Sequence, residues 1–272
     1  MPACWASFSP STSNLTPLVR DFVRTLSLLG KRGSQVDTLP FLTSLQRSFA
    51  GGGNPSFRWN QQQDVPEIFY QLNLEVEKSL TSDCWNSISP TFKETVQCNT
   101  CSYVSIDYVQ SIGIQVSVSQ SIADSINGYI KPETLSGENS WFCPACQIQR
   151  EATKQSVFTE VPDVLIVQLN RWVQHPMRSS FSSKDSSVVR ISDDALVVPV
   201  HVDNEVVVRQ PLRLMSVICH AGTLNNGHYY TYAKHGSDWF RLNDKAVLKI
   251  DNSLLSHSLD NKDSYLVFYS SH

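Results

Sequence analysis

No stretch of this 272-residue chain holds the roughly 20 consecutive apolar residues that a membrane-crossing helix needs, so no membrane span is expected. Basic runs are also missing. The 22 Lys and Arg residues are scattered among 25 Asp and Glu, leaving a formal net charge of -3. Without a basic tail or stripe there is no field to hold nucleic acid, which argues against a zinc-ribbon nucleic-acid binder. The opening MPACWASFSP lacks the basic start and apolar core of a secretory signal, so a cytoplasmic and/or nuclear location is expected. No Gly-x-Ser-x-Gly stands anywhere, so the strained elbow that exposes a nucleophilic serine is absent.

What is present changes character along the chain. Apolar residues recur at helical spacing from Leu15 to Leu29 (Leu18, Phe22, Leu26), again from Leu39 to Phe49, and from Gln62 to Leu80 (Val65, Ile68, Phe69, Leu72, Val76). From Thr91 onward the sequence turns β-branched and aromatic with local alternation, which predicts hairpins, with a short helix over Ser121 to Tyr129. WFCPACQIQREATKQSVFTEVPDVLIVQLNRW predicts two or three strands, and the Ser-rich stretch 175–190 a loop. Five more strands are expected in RLMSVICHAG, HYYTYAKH, DWFRLND, AVLKI and SYLVFYS. Helices first and strands later predict an α+β fold.

Cysteine is the most informative residue type. Four of the seven form two CxxC pairs, Cys98/Cys101 and Cys143/Cys146, and 42 positions separate Cys101 from Cys143. In a reducing compartment such pairs hold metal or do redox work more often than they form structural disulfides. A thioredoxin-like redox pair needs a βαβ setting, whereas both pairs here sit in strand-like sequence. Two tight turns, one of them shaped by Pro144, can aim four soft thiolates at one ion with tetrahedral geometry, which suits Zn²⁺. With no position left for water, the expected zinc is structural.

A second dense segment is CHAGTLNNGHYYTYAKHGSDWFRLND. His228 follows the turn Asn225-Asn226-Gly227 and leads a strand, where a histidine can be core, loop or catalytic. Fifteen positions later come Asn243 and Asp244, after another strand. Two antiparallel strands can bring such a side chain to the imidazole and fix its tautomer, as the third member of a nucleophile–base–orienter set does. Three cysteines remain as nucleophiles. Cys219 lies in an apolar strand and is expected to be buried and inert; Cys84 has no evident base near it; Cys4 precedes the helical third.

Taken together, these segments resemble the ubiquitin-specific protease family, papain-like cysteine proteases with a helical thumb, a β-rich palm and zinc-bearing fingers. The resemblance rests on Gly227-His228-Tyr229, Tyr232, Trp239, Asn243-Asp244 and Val247 (the histidine box) and on His220 and Gly222 upstream of it. It also rests on the terminal Ser264-Tyr265-Leu266-Val267-Phe268-Tyr269 and the thumb motif Gln62-Gln63-Asp64-Val65-Pro66-Glu67. The approach Gly137 to Trp141 and the palm segments Thr153-Lys154-Gln155, Pro162, Leu165 and Leu169-Asn170-Arg171-Trp172 match in the same order.

The resemblance implies one domain over residues 1–272, with the thumb at about 1–90, the fingers at about 91–155 and the palm at about 156–272. It implies a thiol-dependent deubiquitinase that hydrolyses the bond after the C-terminal glycine of ubiquitin. Cys4 would be the nucleophile, His228 the base, Asn243 the orienter and Asp244 a helper. Gln63, Asp64, Glu67, Gly227 and Tyr229 would contact substrate. Ubiquitin or ubiquitinated proteins would be the partners of a monomeric chain. One part departs from the family pattern: only Met1-Pro2-Ala3 precede Cys4, no oxyanion-hole Asn stands among them, and Pro10 interrupts the helix expected after it. That departure leaves open the alternative of a catalytically impaired, ubiquitin-binding scaffold of the same fold.

Overall fold

The computed structural model describes residues 15–29, 36–51, 63–79, 86–174, 182–202, 205–208, 211–223 and 226–271. Cys4 and Cys84 lie outside the described residues. The chain divides into two compact units, residues 1–87 and 88–272.

The first unit is helical among its described residues: α1 (Pro17–Leu29), α2 (Leu39–Gly51) and α3 (Val65–Ser79). Its apolar stripes meet in small clusters, Leu18 with Leu45, Phe49 and Leu72, and Leu15 with Val19 and Val76. The Ser79 hydroxyl accepts from the Thr16 N–H at 3.1 Å, tying the end of α3 to the start of α1. Periodicity predicts α3 from Gln62, but the helix begins three residues later. Asp64 therefore precedes it, its carbonyl accepting from the Ile68 N–H at 3.1 Å. Pro66 falls in the first turn, where its missing N–H costs no helical bond.

The second unit opens with β1 (Thr91–Cys98), β2 (Val104–Gln110), β3 (Ile114–Ser117), α4 (Ile122–Ile130) and β4 (Glu133–Leu135). Next come β5 (Trp141–Cys143), which ends on Cys143, 42 positions after Cys101, and β6 (Ile148–Arg150). Then follow β7 (Ala152–Glu160), β8 (Val164–Asn170), β9 (Trp172–Gln174) and β10 (Ser182–Lys184). The end of the chain supplies β11 (Pro199–Val202), β12 (Glu205–Val208), β13 (Arg213–Thr223), β14 (Asn226–His235), β15 (Asp238–Asn243), β16 (Ala246–Ile250), α5 (Leu255–Leu259) and β17 (Ser264–Ser270).

One sheet runs β12-β11-β7-β1-β2, with β4 also paired to β7; the other runs β16-β15-β14-β13-β17-β8-β3. A shared core joins them: Phe92 and Phe158 from the first, Leu165, Val217 and Val267 from the second, and Ile122 and Ile126 from α4. Serine caps α4, with the Ser121 hydroxyl accepting from the Asp124 N–H at 3.1 Å.

Two expectations need correction. The Trp141–Trp172 stretch contains four strands and the first residue of a fifth rather than two or three, because the second CxxC turn makes its own short β5-β6 hairpin. The stretch 175–190 is not simply a loop: β10 pairs with β9, and Val189 is fully buried. A further hairpin, β11-β12, is formed by PVHV and EVVV, outside the strands expected from the sequence. In addition, β7 runs unbroken across the division at residue 155.

Candidate active site and metal centre

The metal-ligating candidates converge. The Sγ atoms of Cys98, Cys101, Cys143 and Cys146 all lie within 4.8 Å of one another, and Cys101 and Cys143 are 3.6 Å apart. Both CxxC turns are built alike. The Ser102 N–H donates to the Cys98 carbonyl at 3.0 Å and the Gln147 N–H to the Cys143 carbonyl at 2.8 Å. In each turn the residue after the second cysteine is left-handed, with φ of +60° at Ser102 and at Gln147. That chain reversal turns backbone N–H groups toward sulfur, as in the Cys146 N–H bond to Cys143 Sγ at 3.4 Å. Hydrogen bonding from the Cys101 backbone, outweighing desolvation, brings the Cys98 thiol down to about 6. Cys101 is lowered by the Tyr103 backbone but raised more by its neighbouring sulfurs, reaching about 12. Four thiols this close cannot all ionise without a cation among them. The set can hold a metal ion.

The histidine candidates sit at one open end of the seven-stranded sheet. Strands β14 and β15 pair in register up to Thr231 opposite Leu242. Continuing that register makes His228 and Asn243 diagonal neighbours on one face, within side-chain reach. The His228 Nε2 to Asn243 Oδ1 distance is 2.5 Å. An amide oxygen can only accept, so Nε2 is the nitrogen that donates in this pair. Asp244 stands in the β15-β16 turn at φ +50°, a conformation Asp tolerates. Its carboxylate lies 3.9 Å from the same Nε2. The imidazole is about half exposed (48%).

Two glycines are required here. Gly222 has φ +116°, and a Cβ on it would meet the Asn226 carbonyl oxygen at 2.5 Å. A Cβ on Gly227 would meet the His220 ring at 2.2 Å and the Ala221 carbonyl oxygen at 2.7 Å. Gly227 therefore lets the buried His220 ring lie beneath the entry to β14. His220 also packs on Tyr229, with ring centroids 4.6 Å apart, and on Trp172 at 5.6 Å. Burial, helped by Lys184, pushes the His220 pKa below the ordinary range.

Cys219 is fully buried, and desolvation pushes its thiol up to about 12, which makes it inert as a nucleophile. Gln63, Asp64 and Glu67 belong to the helical unit, at and just before the start of α3. Tyr229 is half-buried against His220 and is not a free surface ring.

Sequence reading missed the buried cations beneath this site. Arg171 is fully buried and donates to the Ser264 carbonyl at 2.5 Å and the Ser187 carbonyl at 2.9 Å. Lys184 pairs with Asp263 at 3.2 Å. Their spacing carries no signal; only the LNRW segment marked Arg171 at all.

The family model for ubiquitin carboxyl-terminal hydrolase matches residues 5–269. Probable ubiquitin carboxyl-terminal hydrolase 4 of Schizosaccharomyces pombe is 24% identical over 96% of this chain and 46% of its own length. Probable ubiquitin carboxyl-terminal hydrolase R319 of Acanthamoeba polyphaga mimivirus is 30% identical over 54% of this chain and 31% of its own. The chain thus spans less than half of these relatives. The structure of the SAGA Ubp8/Sgf11/Sus1/Sgf73 DUB module bound to ubiquitin aldehyde matches with a TM-score of 0.73 and 19% identity, over 96% of this chain and 60% of that one. That likeness shows a shared fold, mixed α+β with β-rich sheets. The family match over nearly the whole chain, with the histidine box folded into one hairpin, makes this chain a member of the ubiquitin carboxyl-terminal hydrolase family.

Proposed function

We propose that the chain is a cysteine-type deubiquitinase that hydrolyses the isopeptide or peptide bond after the C-terminal glycine of ubiquitin. The observation that carries this is the His228–Asn243 pair: with Nε2 bonded to the amide oxygen, Nδ1 is the nitrogen left to serve as the base. Cys4, assigned from the family motif, gives its proton to Nδ1. The thiolate attacks the glycine carbonyl, and the imidazolium returns the proton to the departing amine. The C–N bond breaks and a thioester remains. His228 then deprotonates water, which releases the ubiquitin carboxylate and the thiol. Asp244 adds negative charge near the imidazolium as it forms.

Ubiquitin's globule is proposed to rest on the face of the sheet containing β1, β2 and β7 that carries Ile106 and Tyr108. A cavity of about 650 Å³ opens there, lined by Ile106, Tyr108, Val157 and His201, and Tyr108 is 68% exposed. Exposed apolar surface of this kind marks a binding face. Asp64 and Glu67 are proposed to pair with basic residues of the ubiquitin tail. The four-cysteine set is proposed to hold structural Zn²⁺. Zn–S bonds of about 2.3 Å place tetrahedral sulfurs about 3.8 Å apart, and the observed 3.6 Å fits.

Hydrolysis of a fluorogenic amide on the ubiquitin C-terminus tests the reading. Turnover by the full chain that is abolished in Cys4→Ala supports it. The altered sequence around Cys4 favours one other reading, a scaffold that binds ubiquitin without cutting. Tight ubiquitin binding with no turnover would establish that instead.

A further inference from the structure

Strand β13 carries His220 and, one residue on, the Ala221 that pairs with His228. It lies between β14 and β17, but β17 stops early. The last paired position is Cys219 opposite Ser264, followed by one more bond, from the His220 N–H to the Asp263 carbonyl at 2.7 Å. Beyond that the chain turns away around Asn261, whose side-chain oxygen accepts from the N–H groups of Asp263 (2.8 Å) and Ser264 (2.6 Å). The His220 carbonyl therefore faces the side of the sheet where the ladder has run out.

The donor at that carbonyl is a side chain. Lys184 Nζ bonds the His220 carbonyl oxygen and at the same time pairs with Asp263 Oδ1 at 3.2 Å. Both side chains are nearly buried, 8% and 16% exposed. Asp263 uses its other oxygen to accept from the Tyr230 hydroxyl at 3.4 Å. Tyr230 stands two residues after His228 on the same face of β14. Burial raises its pKa, so it remains a donor. One ammonium and one carboxylate thus link β10, β13, β14 and the start of β17 where the sheet begins to overhang.

We propose that Lys184, held by Asp263, is a positioning residue for His228: it replaces the missing backbone rung and fixes the overhang that presents the imidazole to its reaction partners. A buried ion pair is weak evidence for stability, so a role for this one is sought in the geometry it holds. A displacement of about 1 Å at a reacting group can cost about 100-fold in rate.

This inference rests on the hydrolase reading, and the experiment separates the two. Lys184→Met, Lys184→Arg, Asp263→Asn and the double variant Lys184→Met/Asp263→Asn are compared with the natural chain. The readouts are kcat and KM on the ubiquitin C-terminal amide, melting temperature, and the His228 tautomer from multiple-bond ¹H–¹⁵N spectra. Lys184→Met is expected to lower kcat by about 10- to 100-fold with KM nearly unchanged, and to mix the His228 tautomers. Lys184→Arg should recover most of the rate. The double variant should be no worse than Lys184→Met, because both substitutions break one link. Should Lys184→Met fail to fold, Asp263→Asn carries the same expectations. A folded variant with natural kcat and a single Nε2–H tautomer overturns the proposal. So does a rate loss that only follows melting temperature while the tautomer stays fixed. If the natural chain turns over no ubiquitin substrate, the hydrolase reading fails, and the tautomer measurement alone decides the role of Lys184.

Discussion

The four-cysteine tip and the His228 hairpin use the same ingredients in opposite ways. At the tip, two identical local turns bring four side chains to one point; Cys98 and Cys143 are buried, and each sulfur has the others as neighbours. At the hairpin, two consecutive strands bring together one imidazole and one amide 15 positions apart in sequence, and about half of the imidazole faces solvent. A closed set of ligands holds structure, whereas an oriented group with a free lone pair can act on something else. Substitutions at the first should therefore cost folding, and substitutions at the second should cost rate.

The largest effect is expected at the tip. Cys143→Ser with Cys146→Ser removes half of the ligand set. Structural zinc contributes about 10 kcal/mol or more to folding in small zinc domains. Metal content by atomic absorption should fall to background, with a large drop in melting temperature and loss of ubiquitin affinity. Unchanged ubiquitin binding after this double substitution would break the assignment.

The hairpin should show the reverse. His228→Ala is expected to lower kcat/KM by about 100- to 10,000-fold, the usual contribution of a general base, with little change in melting temperature. Asn243→Ala should cost less, because the ring remains but its tautomer is no longer fixed. If both variants lost stability and kept activity, the contrast between the two regions would be lost.

Gly227→Ala sits between these extremes. Its added methyl has no room beside His220, so about 1–3 kcal/mol of destabilisation is expected in chemical denaturation. The smallest effect concerns pH. His220 is held neutral, with its folded pKa below the unfolded value of about 6.5. Its contribution to stability is full above about pH 6.5 and is lost as pH falls through the lower folded value. His220→Gln should flatten that part of the stability–pH curve.

The sequence made some of this legible and hid the rest for identifiable reasons. CxxC spacing is local, so the metal set could be read directly. Helical stripes such as Leu18, Phe22 and Leu26 and the alternation in SYLVFYS also carry their own period. The His228–Asn243 contact needed the sheet register, which the intervening strands only suggested; the histidine-box resemblance supplied it. Lys184 and Asp263 meet across 79 positions, from a Ser-rich stretch and a strand entry. Nothing periodic marks such a pair, because its partners are a backbone carbonyl and a tertiary neighbour.

The most direct test is covalent trapping of the full chain with ubiquitin bearing a C-terminal electrophile, followed by mass mapping. The account predicts one adduct per chain at neutral pH, located on Cys4 and formed orders of magnitude more slowly in His228→Ala. A folded chain that forms no adduct, or one labelled equally fast without His228, would contradict it.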